Sequence, residues 1–365
     1  MKVRLFVIVC LLLIPYSVSA ISQNWVDKLT DYQEINNDNV FLYYNTAKPQ
    51  IYTDLALDLD KKIILNDNMK VDLLTDYTVN DLLDCFSFLI EKTADVLALK
   101  IPETHIYLYP NKNELFRVTS YSKSFYVVMG QEVHLTPDGV HKIIEFILAY
   151  NYPSMERKLL ESLAKYFVPS FNGVHQRAQY WLNFQELPPL STVAVKSSAA
   201  LTEKDWDALV SFMGYVVENY PKISWSKVRS ISDIASILGM SFSNMESNWF
   251  KYLQNTFYLK LARNEEALSG TEAQGAVLVE NPSTTITNVY LEIYTTPLKS
   301  PEITLIDYRN YYLFNKQDSN LIRFKVDIPF FGAEEIWVIA KMTYLDSTGK
   351  KGMSLLSLPI KVIGL

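Results

Sequence analysis

The chain predicts a mixed α+β unit followed by an all-β sandwich. Helical spacing and short strand-like runs alternate up to about residue 260, the pattern changes at Ser269-Gly270-Thr271, and beyond it runs of alternating apolar and polar residues are separated by turn signals. At 365 residues the chain exceeds what one ordinary core holds, so two domains are expected. The expected divisions are a leader at 1–20, an α+β domain at 21–265 and the sandwich at 270–365.

The leader has a basic start at Lys2 and Arg4, an apolar core from Leu5 to Pro15 and a small-residue cleavage site at Val18-Ser19-Ala20. This is the layout of a secretory signal peptide, which places the mature chain outside the cell or in a bacterial periplasm. Cys10 leaves with the leader, so Cys85 remains alone and no intramolecular disulfide forms. The formal charge of −6 becomes −8 once Lys2 and Arg4 are removed, which argues against nucleic acid as a partner. After the leader no run reaches the roughly 18 apolar residues of a membrane span.

In the α+β part, Val40-Phe41-Leu42-Tyr43-Tyr44 is expected as a strand and 81–99 as a helix, with Leu82, Phe86, Leu89 and Ile90 on its apolar face. A second strand follows Pro102 at 105–110, then a helical or loop segment at 113–118 and strands at 124–130 and 132–135. Next come two short helices. The first, at 138–150, is apolar nearly all round at Ile143, Ile144, Phe146, Ile147 and Leu148, so it is expected to be buried, with His141 and Glu145 one turn apart on one face. The Tyr152-Pro153 break folds the second, at 155–168, back beside it and brings Glu161 near His141 and Glu145. Beyond residue 270, runs at 276–280, 288–294, 303–306, 311–314, 321–328, 335–344 and 354–362 are expected as strands, with turns between them at 281–282, 318–319, 332 and 347–349. About seven strands in about 95 residues suggest an immunoglobulin-like sandwich without a cysteine pair. Such a fold names no function by itself.

The helix pair resembles the H-E-x-x-H helix, turn and downstream glutamate helix of gluzincin zinc metallopeptidases, in particular the bacterial peptidase MA-like domain. His141 matches the first motif histidine, and Glu161 with Ser162-Leu163-Ala164-Lys165-Tyr166 matches the later glutamate segment. The upstream strand order, Ser211-Phe212-Met213-Gly214-Tyr215 and the Leu238-Gly239-Met240-Ser241 to Leu253 segment extend the similarity over roughly 38–260. The resemblance implies a zincin-like fold with zinc held by two histidines and the glutamate, and the motif glutamate as general base. Two positions depart from it: Lys142 stands at the general-base position and Glu145 at that of the second histidine. A tyrosine that often precedes the S-F pair is Val210 here.

Losing the general base costs a factor of about 10² to 10⁴ in rate, and a protonated lysine accepts no proton. An ammonium about 5 Å from a divalent ion is repelled by roughly 6 kcal/mol at an effective dielectric near 20, before relaxation. No catalytic residue is therefore expected, and no cofactor; the vestigial metal set is His141, Glu145 and Glu161, with zinc the alternative ion. The leading expectation is a pseudo-peptidase (HKIIE for HExxH) that binds a protein or peptide, or serves as a scaffold. The alternatives are a metal-dependent hydrolase with a rearranged His/Glu/Glu site, and an adhesion or envelope-assembly protein acting through the sandwich. Glu161 and Lys165 could equally be an ion pair on a solvated face, and His141, Lys142 and Glu145 mutually paired polar residues at a helix end. His105, His134 and His175 are expected to be structural, and Cys85 a buried inert thiol.

Overall fold

The computed structural model describes residues 28–67, 74, 76–255, 258–280, 286–314, 319–330, 334–346 and 349–364. The leader expected at 1–20 and the turns expected at 281–282, 332 and 347–348 lie outside these residues. The chain forms an α+β N-terminal part and a C-terminal all-β sandwich, as expected at that level.

The N-terminal sheet contains β1 (Tyr32–Asn37), β2 (Val40–Asn45), β3 (Thr104–Leu108), β4 (Phe125–Val127) and β5 (Glu132–Leu135) in the order β1-β2-β3-β5-β4. β2, β3 and β5 run parallel, and the two outer strands are antiparallel to their neighbours. Helices α1 (Pro49–Asp67) and α2 (Val79–Leu97) make the crossover between β2 and β3, the kind of long connection that parallel pairing demands. α2 starts at a capping box between Thr78 and Asp81, buries Leu82, Phe86, Leu89 and Ile90, and stops at Ala98 in the left-handed region. α3 (Lys112–Thr119) follows β3.

α4 (His141–Asn151) follows β5 through a short 3₁₀ turn at Pro137–Gly139, and α5 (Arg157–Phe167) packs against it. Ile144, Phe146, Ile147 and Leu148 are fully buried, so α4 is an interior helix, as its composition requires. α6 (Val174–Asn183), α7 (Leu190–Val195), α8 (Glu203–Asn219), α9 (Ile231–Ile237) and α10 (Phe242–Asn255) complete this part around one continuous apolar core.

The sandwich faces a sheet of order β10-β9-β12-β13-β7 with one of order β11-β8-β6, and side chains of both fill one cluster. Its strands are β6 (Tyr258–Arg263), β7 (Glu266–Leu268), β8 (Glu272–Glu280), β9 (Ile286–Pro297), β10 (Thr304–Phe314), β11 (Ser319–Asp327), β12 (Glu335–Leu345) and β13 (Lys351–Ile363). The boundary expected at 265 to 270 needs correction. β6 pairs with β8 from Tyr258 opposite Glu280, and Leu259 enters the sandwich core, so the all-β region begins at 258. Ser269-Gly270-Thr271 is a turn inside it, where Gly270 takes φ +71° and the Phe330 ring crowds the space a Cβ would need. The runs expected as strands at 303–306 and 311–314 form one strand, β10, with a register shift between Leu305 and Asp307.

The two parts are joined by an apolar seam of Leu65, Phe171, Ile339 and Leu355, with Trp337 against it. Lys61, only 1% exposed, donates to the Pro297 carbonyl at 2.7 Å, and burial pushes its ammonium down to about 8. Gly173 N–H donates to the Leu355 carbonyl at 2.8 Å, and Asn172 Oδ1 accepts from the Ser357 N–H at 2.8 Å.

Candidate functional site

The turn at 152–156 folds α5 back along α4, and Lys142 on α4 lies between Glu145 of its own helix and Glu161 on α5. Glu145 has no solvent exposure, which makes its charge costly unless something neutralises it. Lys142 is that partner. Its ammonium donates to Glu145 Oε2 and lies 3.7 Å from Glu161 Oε2. Glu161 Oε1 pairs with Lys165 at 2.9 Å, and Glu145 Oε1 faces the Arg157 guanidinium at 3.7 Å without a hydrogen bond. Three cations thus surround two carboxylates. The ion-pair reading of Glu161 and Lys165 describes two residues that the fold brings together.

Burial raises the Glu145 carboxyl against the pull of Lys142. Glu161 is lowered: burial works upward, and Lys165 and Lys142 outweigh it. Burial, then Lys142 and Lys165, push the His141 imidazole down to about 4, so it is neutral at neutral pH. His141 opens onto a cavity of about 660 Å³ whose lining includes Lys165, Arg177, Trp206, Asp207 and Val210. Lys165 lies over the Trp206 ring at 3.7 Å, a cation–π contact that forms one wall. Val210 shares this cavity, so no hydroxyl donor enters it from the position where the resemblance expects a tyrosine.

The expected vestigial ligand set of His141, Glu145 and Glu161 is not assembled as one. Among the described residues no group of three or more His, Cys, Asp or Glu side chains is disposed to hold a metal ion. The physical reason is Lys142, whose ammonium sits between the two carboxylates that a metal would need. A zinc ion therefore does not fit the residues present.

A second polar cluster escaped the sequence reading. His175 on α6, expected to be merely structural, lies with Nδ1 3.0 Å from Ser211 Oγ and Nε2 3.2 Å from Glu218 Oε1, both residues on α8. Tyr166 from α5 and Tyr252 from α10 donate to the same Glu218 carboxylate at 3.0 and 2.6 Å, and Trp249 Nε1 donates to Ser211 at 3.2 Å. An ionised Glu218 only accepts, so Nε2 carries a proton toward it. Burial would raise Glu218, but His175, Tyr252 and Tyr166 outweigh it and bring the carboxyl down to about 2. The Ser-His-Glu order evokes nucleophilic catalysis, yet Ser211 is fully buried and the connections to the imidazole run through the opposite nitrogens from a catalytic triad. This cluster ties four helices together. Gly214 makes room for it, because a Cβ there would meet the Tyr166 ring at 2.6 Å. A cavity of about 730 Å³, which Tyr344 and Lys350 of the sandwich also line, opens beside it.

His134 and His105 are held within the sheet face. His134 is fully buried, bonded to Tyr109 at 2.9 Å, and stacked between Tyr107 and Phe125; His105 pairs with Glu103 at 2.8 Å. Cys85 is buried and free, and burial pushes its thiol up to about 12.

No family model matches the sequence, and no curated protein does. Among solved structures, a CARDB domain from Pyrococcus furiosus in complex with di-metal ions is similar over 29% of this chain and 87% of its own, at 11% identity and TM-score 0.23. A cohesin module from a Clostridium perfringens family 33 glycoside hydrolase matches over 30% of this chain and 99% of its own, at 9% identity and TM-score 0.23. A β-glucosidase from Erythrobacter marinus matches over 30% of this chain and 15% of its own, at 13% identity and TM-score 0.23. Likenesses this slight assign neither ligand nor activity. None of the described helices is long and apolar enough to cross a membrane.

Proposed function

We propose that the chain is an exported, catalytically degenerate zincin-fold protein of the peptidase MA-like kind, with an immunoglobulin-like sandwich, that binds a protein or peptide without cleaving it. The observation that supports this reading is the Lys142 ammonium, paired with Glu145 and facing Glu161 where a metallopeptidase would keep its ion and its base. The cavity lined by Lys165 and Trp206 beside it is a cleft such a protein would use for binding. The test is incubation with zinc and casein, followed by gel filtration, metal analysis and mass spectrometry. Intact casein and a protein peak free of stoichiometric zinc are expected. Casein cleavage that a chelator abolishes would overturn the reading in favour of the rearranged hydrolase.

A second reading has support of its own: the sandwich makes the contact, and the α+β part presents it. β10 is an edge strand carrying Leu305, Tyr308, Tyr312 and Leu313 as exposed apolar side chains, with Tyr312 82% exposed. Under this reading Tyr312→Ser with Leu313→Ser abolishes attachment to a bacterial envelope fraction, and Trp206→Ala does not. Under the first reading the two variants exchange outcomes.

A further inference from the structure

We propose that the Lys142 ammonium is a built-in structural cation: it takes the position of a metal ion between α4 and α5, closes that position to metal in the natural chain, and leaves a divalent-cation site behind when it is removed. The inference rests on the charges and geometry of this helix pair, and stands whether or not the fold is a zincin.

Two carboxylates, Glu145 and Glu161, direct one oxygen each at the same Nζ from different helices. Glu161 Oε1 is engaged by Lys165 at 2.9 Å, and Glu145 Oε1 faces Arg157 at 3.7 Å without a hydrogen bond. Without Lys142, the two inward oxygens lose the cation they share, and like charges so placed repel. A divalent ion relieves that repulsion with the same two contacts and one more positive charge. Carboxylate oxygens suit zinc, manganese or calcium. With Lys142 present the ion has no place, because an ammonium already fills the gap and repels it. Lysine and metal are mutually exclusive occupants of one position. Lys142 is only 7% exposed, so it does not swing into solvent to make way.

The experiment compares melting temperatures of the natural protein, Lys142→Ala, and Lys142→Ala combined with Glu161→Ala, each in chelator and in excess zinc or manganese. The natural protein is expected to melt at one temperature in all three solutions. Lys142→Ala should melt lower in chelator by roughly 10 °C, as befits breaking a buried pair, and recover a large part of that drop with metal. Removing Glu161 as well should abolish the recovery. Should Lys142→Ala fail to accumulate, Lys142→Gln, which keeps a polar amide in the gap, carries the same comparison. A Lys142 variant with no metal response overturns the proposal and leaves the pseudo-peptidase reading standing. A natural protein stabilised by metal through Glu161 overturns both.

Discussion

Two buried carboxylates in the same α+β core are neutralised by opposite strategies. Glu145 is balanced by cations: Lys142 bonds it, Arg157 approaches it, and one of its oxygens has no hydrogen bond. Glu218 is balanced mainly by hydrogen-bond donors, two tyrosines and an imidazole, drawn from three other helices. The cationic arrangement is local, a pair one turn apart on one helix plus a neighbour. The donor arrangement spans the helical half of the domain, and that difference decides what each contributes. A charge pair repays its desolvation only in part, so the first site costs about as much as it returns, whereas a fully bonded carboxylate linking four helices is hard to replace.

The largest effect is therefore expected at Glu218. Glu218→Ala leaves Tyr166, His175 and Tyr252 without their acceptor, and should lower unfolding stability by about 4 kcal/mol in urea titration. A loss below about 1 kcal/mol would mean that water replaces the carboxylate and that the four helices hold without it.

Acid should separate the two sites by window. Glu218 is depressed from 4.5 to about 2, so its contribution is complete above the unfolded value and is lost as pH falls from 4.5 toward 2. His141 is depressed from 6.5 to about 4; between those values the unfolded chain binds the proton and the folded chain does not, so stability falls as pH drops from 6.5 to 4. His141→Gln should flatten the upper window only, and Glu218→Gln the lower one only. Thermal melts across pH 3 to 7 would read both, and a single unaltered slope in either variant would break the assignment.

Where the sequence was legible, local signals agreed with burial. α2 was visible from its apolar spacing, and α4 and α5 from an apolar run, a Tyr152-Pro153 break and a second run, which also placed Glu161 beside the first helix. The sequence does not announce α1, because Asp54, Asp58, Asp60, Lys61 and Lys62 break its apolar spacing, although Lys61 is buried against the sandwich. β1 is silent in the sequence because Tyr-Gln-Glu-Ile-Asn-Asn carries little apolar alternation, as an exposed edge strand permits. β10 reads as two runs because Asp307, Arg309 and Asn310 lie on an edge strand where polar residues cost little. The Glu218 cluster left only one trace, Ser211 and Glu218 seven residues apart and so on one helix face. The remaining members arrive from three other helices, and no spacing rule connects them.

A third buried charge gives a smaller test of how far the α+β part and the sandwich depend on each other. Lys61→Met keeps the apolar stem in the seam and removes the bond to the Pro297 carbonyl, which should cost about 1.5 kcal/mol. The loss should appear in the melting of both parts together, because Leu65, Phe171 and Leu355 pack in the same seam. Two separated transitions in the natural protein would show instead that the seam couples them weakly.

The smallest effect is the sharpest use of the comparison. Lys142→Met combined with Glu145→Leu removes both buried charges of the local pair and fills their volume with apolar atoms, among Ile144, Phe146 and Leu148 that are already buried. Glu161 keeps Lys165 at 2.9 Å, and Arg157, with a side chain 66% exposed, remains in contact with solvent. No charge is then stranded, so the double variant should lie within about 1 kcal/mol of the natural protein, although either single change unpairs a buried charge and should cost about 3 kcal/mol. No such paired replacement exists for Glu218, because an apolar side chain there would take one shared acceptor from three donors at once. A double variant as damaged as its single parents would mean that Lys142 and Glu145 are bonded into a wider network, and that the two carboxylates are neutralised in the same way after all.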